Sequence, residues 1–263
     1  MQNRKFEQHY FDWEIAEKEN FPVVISMVHH ILKLCKRISK PVKDLVVLDV
    51  GSGTGQYSFE IAKKVKKVVG VEPFTEAYQR SLVKKKKYKI GKKCTFKNIP
   101  IEKYSTNQKY DLVLCLATLE HMPNAEASFK NIFNILNDGG MIYLTVPNKL
   151  WPYEYHYKLF FLSWLPLEIG NYYVRLMKKG MSFEDSAYAK SYFGLKRFFN
   201  SFPCKFEFLI PEPDEMFLGQ GDTGVFYTIM KNVGIRLLKK FPFLMVFSKG
   251  FLVLITKKEN KKI

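Results

Sequence analysis

Apolar runs punctuate the chain at 46–50, 68–72, 110–116, 141–146 and 251–256, with further strand-like stretches at 94–97 and 205–210. Runs without alternation read as strands buried on both faces, hence as a mostly parallel sheet. Between them, apolar positions recur three and four residues apart, the spacing of an amphipathic helix. The first such stretch carries Val23, Val24, Met27, Val28, Ile31, Leu32 and Leu34 on one side, with Asn20 as its cap and Pro41 as its stop. The same spacing predicts helices over 54–67, 75–88, 124–136, 188–202 and 225–240. Asn137-Asp138-Gly139-Gly140 marks a turn after the third of these. Alternating strands and helices predict an α/β fold, a seven-stranded sheet with helices on both faces.

The alternation breaks twice. Residues 149–187 hold Trp151, Tyr153, Tyr155, Tyr157, Phe160, Phe161, Trp164, Tyr172 and Tyr173, too aromatic for a solvated loop. This stretch reads as a lid inserted over the sheet edge. A second insertion is expected over 211–249, opening on Pro211-Glu212-Pro213 and containing the turn-rich loop 219–224. Residues 1–45 form a helical cover, and the whole chain, 1–263, reads as one domain with these additions.

Composition changes the picture only in part. The net charge of +17 is attractive to nucleic acid, anionic lipid or an anionic substrate. Only six of the 42 basic residues are Arg, which argues against nucleic acid, whose readers favour Arg. Lys84 to Lys87 suit the negative end of a helix dipole. Cys35, Cys94, Cys115 and Cys204 are scattered without metal spacing, so free thiols, no metal and a reducing cytoplasm are expected. The start of the chain is polar, with no apolar signal core.

The chemistry concentrates at Asp49-Val50-Gly51-Ser52-Gly53-Thr54-Gly55. Glycines after a buried strand let the backbone take positive φ and approach a ligand closely. A dinucleotide loop has the form G-x-G-x-x-G, but here the third glycine arrives one residue early. Asp49, two residues before Gly51, offers a counter-ion to a cationic ligand and little to a pyrophosphate. That favours S-adenosylmethionine, with its ammonium and sulfonium. Glu72 ends the next strand 17 residues past Gly55, close to the roughly 20 at which an acid reaches ribose hydroxyls.

With LDVGSGTG at 48–55, VVGVE at 68–72, YDLVLCLATLEHMPN at 110–124 and ILNDGGMIYLTVPN at 135–148, the chain resembles class I S-adenosylmethionine-dependent methyltransferases of the ubiquinone-type and polysaccharide-cluster group. The resemblance covers roughly residues 40–210 and implies a Rossmann-like fold. It implies cofactor contacts at Asp49, Gly51, Ser52, Gly53, Gly55 and Glu72, and at Leu116 where the fourth strand ends. Asn98 and Ile99 stand where the family meets the adenine. Tyr10 and Phe11 are candidates for the cover over the cofactor.

Methyl transfer needs alignment, and for an oxygen nucleophile a base. His121, after the fourth strand, and His156, on the lid, are the candidate bases; loop ordering by Glu120-His121 and lid packing by His156 are the plainer readings. His29 and His30 are read as structural. Trp151 and Tyr155 are candidate platforms for a ring or sugar, with Trp151 and Trp164 equally readable as lid core. The expected activity is O-methylation of a small molecule, glycan or lipid-linked intermediate. C-methylation of a quinone-type aromatic or methylation of tRNA is the enzymatic alternative. A non-catalytic, membrane-surface module that binds the same cofactor is the alternative from another class, suggested by the apolar face over 225–240; packing of that face on the sheet or on a second subunit is the plainer reading.

Overall fold

A computed structural model of the chain describes residues 13–88, 90–213, 215 and 225–257. Tyr10, Phe11, the loop 219–224 and the Lys-rich tail lie outside the described residues.

The sheet is built from β1 (Val46–Val50), β2 (Lys67–Val71), β3 (Cys94–Lys97), β4 (Tyr110–Leu116), β5 (Leu136–Pro147), β8 (Cys204–Leu209) and β9 (Gly250–Lys257). Its order is β3-β2-β1-β4-β5-β9-β8. All neighbours from β3 to β5 are parallel, and β9 runs antiparallel to both β5 and β8. The registers pair Val50 with both Val71 and Cys115, so the carboxyl ends of β1, β2 and β4 meet at one edge. In parallel sheets that edge, where strand order reverses, is the ligand side. Every residue of β1 and β4 is buried, which explains their unbroken apolar runs.

Helices α1 (Trp13–Leu34), α2 (Gln56–Ala62), α3 (Thr75–Tyr88), α4 (Ala125–Ile135), α5 (Leu167–Leu176), α6 (Tyr192–Asn200) and α7 (Val225–Lys240) complete the fold. Two cores form on the sheet's two faces. Val23, Met27 and Ile31 of α1 share one with Phe59 and Ile61 of α2; Phe129 and Ile132 of α4 share the other with Leu195 and Phe199 of α6.

Several boundaries differ from expectation for physical reasons. Asn20 does not cap α1; the helix starts upstream and carries Pro22 inside. Burial of Val23, Val24, Met27, Val28 and Ile31 outweighs the local cost of that proline. α1 ends at Leu34, ahead of Pro41. α2 is half the expected length: left-handed Gly55 sets its start at Gln56, and it ends at Ala62, where the chain turns towards β2. The Asn137-Asp138-Gly139-Gly140 turn is absorbed into β5, which begins straight after α4 and breaks register between Tyr110 and Leu112 of its partner. Asp111 holds that irregularity: its carboxylate accepts from Asn137 Nδ2 (2.8 Å), Lys40 Nζ (2.7 Å) and the Val46 amide (2.8 Å).

The stretch 149–187 has a core of its own. A hairpin of β6 (Tyr153–Glu154) and β7 (Leu159–Phe160) packs with α5 around buried Tyr157, Leu159, Leu162, Val174 and Phe183. Its root is Asn148, a buried amide. Asn148 Nδ2 donates to the carbonyls of Val246 (2.9 Å) and Ser248 (2.8 Å), and its Oδ1 accepts from the Leu150 amide (3.0 Å). Asn148→Ala leaves these groups unpaired and is expected to cost about 1–2 kcal/mol in urea unfolding. A loss under about 0.5 kcal/mol would show that the lid is anchored elsewhere.

The face of α7 packs less than the plainer reading supposed. Ile235 is buried and Leu238 half-buried, but Ile229, Met230, Val233 and Leu237 are exposed. No helix among the described residues is long and apolar enough to cross a membrane. All four cysteines are free and buried.

Candidate active site

The glycine loop leaves β1 and doubles back on β2. The amides of Gly51 and Ser52 donate to the Val71 carbonyl (2.9 and 3.2 Å), and that of Gly55 to the Ser52 carbonyl (2.9 Å). Gly51 and Gly53 need their glycines for different reasons. Gly51 sits at φ +68, and a Cβ there would lie 2.3 Å from Thr118 Cγ2, so the loop packs directly on the end of β4. Gly53 sits at φ +53 with no heavy atom within 4 Å of where its Cβ would be, so its surface is open to a ligand.

Two buried carboxylates flank the loop. Asp49, 2 % exposed, accepts from the Ser58 hydroxyl of α2 at 2.6 Å. Glu72, 7 % exposed, accepts from the amides of Gly53 and Phe74, both at 2.8 Å. Glu72 therefore holds a loop amide as well as standing at the end of β2. Burial pushes the Asp49 carboxyl up to about 6, with the Ser58 bonds opposing. Burial also pushes Glu72 up to about 7 against its amide bonds, helped by the Asp49 charge. Among the described residues, neither carboxylate has an ion-pair partner. The buried Ser52 hydroxyl beside them lacks a hydrogen-bond partner.

Asn98 ties the turn after β2. Its Nδ2 donates to the Glu72 and Pro73 carbonyls (2.9 and 3.2 Å), and its Oδ1 accepts from the Thr75 hydroxyl (3.0 Å). Ile99 is half-buried against the core, and Leu116 is buried at the end of β4.

The second cluster lies past β4. Leu119–His121 form a 3₁₀ turn, and the lid hairpin brings His156 to it. The rings of His121 and His156 meet edge to face at 5.1 Å. His121 Nδ1 bonds the Asp185 carbonyl, and His156 Nδ1 bonds Glu154 Oε1 at 2.6 Å. Both acceptors can only accept, so each Nδ1 carries a proton. Burial would lower the His156 pKa, but the Glu154 bond and charge, with Glu120 and Asp185, raise it overall. For Glu154, burial is outweighed by His156 and two backbone amides, and its carboxyl falls below the usual range. Glu120, 1 % exposed, is pushed up to about 7 by burial, with His156 opposing.

Trp151 and Tyr155 are half-buried and line a cavity with Asn148, His156, Ser163 and Lys249. The Lys249 ammonium lies 4.1 Å over the Tyr155 ring, and burial lowers its pKa to about 8. Trp164, by contrast, is exposed rather than part of a core. His30 pairs with Glu215 at 2.6 Å, away from both clusters. Sequence reasoning gave Glu120 only a loop-ordering role and missed Glu154 and Lys249. An acid-histidine pair after a buried strand was a signal for Glu120; nothing local marked Lys249.

A glycine loop and paired acids at the carboxyl edge of this sheet define a methyltransferase-type fold. A family model described as a methyltransferase domain matches residues 14–201, and the chain belongs to that family, whose methyl donor is S-adenosylmethionine. The ubiquinone biosynthesis O-methyltransferase of Nitrosomonas europaea is 25% identical over 187 residues, 68% of this chain and 72% of that protein. The protein of that description from Psychrobacter cryohalolentis is 29% identical over 105 residues, 39% of this chain and 41% of its own length. The chain thus spans about two fifths of the length of that relative. Among solved structures, the plantazolicin methyltransferase BpumL, in complex with a triazolic desmethylPZN analog and SAH, aligns at TM-score 0.56 and 13% identity over 94% of this chain and 90% of that one. A candidate methyltransferase from Methanococcus maripaludis aligns at 0.55 and 15% identity, over 95% and 92%. Both likenesses are of fold.

Proposed function

We propose that the chain transfers a methyl group from S-adenosylmethionine to an oxygen of a small-molecule acceptor held between the β4 edge and the aromatic lid. The observation that carries the donor site is the pair of buried carboxylates, Asp49 and Glu72, with no cation paired to them among the described residues, beside an open glycine and an unpartnered hydroxyl. Such a pair is costly until a cation arrives. S-adenosylmethionine supplies a methyl carbon on a sulfonium, so the leaving group needs no acid. Asp49 and Glu72 supply counter-charge and hydroxyl acceptors. Gly51, Gly53 and Gly55 let the backbone approach, with Asn98, Ile99 and Leu116 lining the adenine side. Glu120, His121 and His156 receive the acceptor's proton, while Trp151 and Tyr155 hold its ring or sugar face. The domain parts follow: α1 covers the donor site, 149–187 is the lid, and 211–249 is a second insertion.

The donor assignment has a pH signature. Binding of the cationic ligand needs ionised carboxylates, whose values of about 6 and about 7 lie well above their ordinary ones. The affinity for S-adenosylhomocysteine, which keeps the ammonium, is expected to fall about tenfold or more from about pH 7.5 to about pH 5.5, with proton release on binding near pH 6. Calorimetry in two buffers of different ionisation enthalpy reads both; a pH-independent affinity contradicts the assignment. For the reaction, the protein is incubated with labelled donor and two acceptor panels, hydroxylated aromatics and saccharides. Label is expected as O-methyl product in one panel; label on carbon, or none on either, overturns oxygen transfer.

A further inference from the structure

We propose that Glu120, His121 and His156 bind a first-row divalent metal ion, such as Zn²⁺, Fe²⁺ or Mn²⁺. One ligand atom from each residue lies within 4.8 Å of the other two, the single such group among the described residues. The set of two imidazoles and one carboxylate is the donor chemistry of these ions, and leaves coordination positions open for a ligand oxygen.

Three further features point the same way. First, both imidazoles are oriented from behind. His121 Nδ1 donates to a backbone carbonyl and His156 Nδ1 to a carboxylate, the two outer partners that metal-binding histidines use. This fixes the tautomer that turns Nε2 into the coordinating atom. Second, Glu120 is 1 % exposed, and its Oε2 has no hydrogen-bond partner. A buried carboxylate oxygen with nothing to bond is costly, and a cation removes that cost. Third, the three residues come from two places, the turn after β4 and the lid hairpin, so the ion would join the lid to the sheet edge. Metal–nitrogen distances of about 2.0–2.1 Å would bring the three donors closer together on an ion than the 4.8 Å within which they now lie.

Resting on the methyl-transfer reading, such an ion deepens it. An acceptor hydroxyl would coordinate it and lose its proton to solvent; with the ion bound, Glu120, His121 and His156 hold the ion instead of taking that proton. Its oxygen would then form the bond to the methyl carbon, as the carbon–sulfur bond breaks with its electron pair on sulfur. The acceptor class is thereby one with a hydroxyl that can coordinate a metal.

The test uses the full chain stripped with chelator and titrated with Co²⁺ and Zn²⁺, followed by calorimetry and by the cobalt ligand-field spectrum. One equivalent is expected, with a nitrogen–oxygen ligand spectrum. Glu120→Gln and His156→Ala are each expected to weaken binding at least tenfold, while S-adenosylhomocysteine affinity stays unchanged and reports that the variants fold. Absence of saturable binding, or equal binding by the variants, overturns the metal site. Metal binding without S-adenosylhomocysteine binding would keep the site and remove its link to methyl transfer.

Discussion

Asp49→Asn is expected to lower affinity for S-adenosylhomocysteine by about 30–100-fold and, at the same time, to make the ligand-free protein more stable at about pH 8. The two effects have one cause. Asp49 is buried with only the Ser58 hydroxyl as a side-chain partner, and burial lifts its carboxyl to about 6. A carboxyl whose folded value is raised contributes most stability below its unfolded value, near 4, and loses that contribution as pH climbs through about 6. At pH 8 the ionised group is a burden of about 1–3 kcal/mol, at ~1.4 kcal/mol per unit. Asparagine keeps the bond from Ser58 and removes the charge. The ligand's ammonium then loses its counter-ion, a charge-assisted interaction of about 2–3 kcal/mol. Melting curves with and without ligand at about pH 5 and about pH 8 separate the terms. A variant destabilised at both pH values, or one with unchanged affinity, contradicts this role.

Phe129→Ala is expected to cost about 3–5 kcal/mol, the largest loss from any single truncation considered, and to lower the melting temperature by roughly 8–15 °C. Phe129 is fully buried on α4, with the rings of Phe198, Phe199 and Phe202 centred 5.1, 5.8 and 6.1 Å away. Those neighbours belong to α6 and the turn behind it, so little can collapse into the space left. Urea unfolding measures the loss, and affinity of the folded fraction for S-adenosylhomocysteine should remain. A loss below about 1.5 kcal/mol would show that this face repacks.

The sheet was legible because each central strand is buried on both faces and so advertises itself as a continuous apolar run. The glycine loop was legible because positive φ at Gly51 and Gly53, and close packing at Gly51, leave few residue choices there. What escaped depends on contacts between distant segments. Pro22 inside α1 is tolerated through burial of the following turn, which no window around Pro22 reveals. Asn137 and Gly140 look like a turn, but Asp111, across the sheet, draws Asn137 into β5. The lid reads as an aromatic insertion, yet its hairpin and helix exist because Tyr157, Leu162 and Phe183 bury one another. The Cys-based expectation of no metal rested on spacing along the chain. The Glu120, His121 and His156 group assembles only when the lid folds onto the β4 edge.

The most direct measurement is calorimetric titration of the purified chain with S-adenosylhomocysteine, with NAD as the comparison ligand. One equivalent of S-adenosylhomocysteine binding, with no heat from NAD, is the expected result. Clear binding of NAD and none of S-adenosylhomocysteine would contradict the assignment of the carboxylate-flanked loop to a cationic methyl donor.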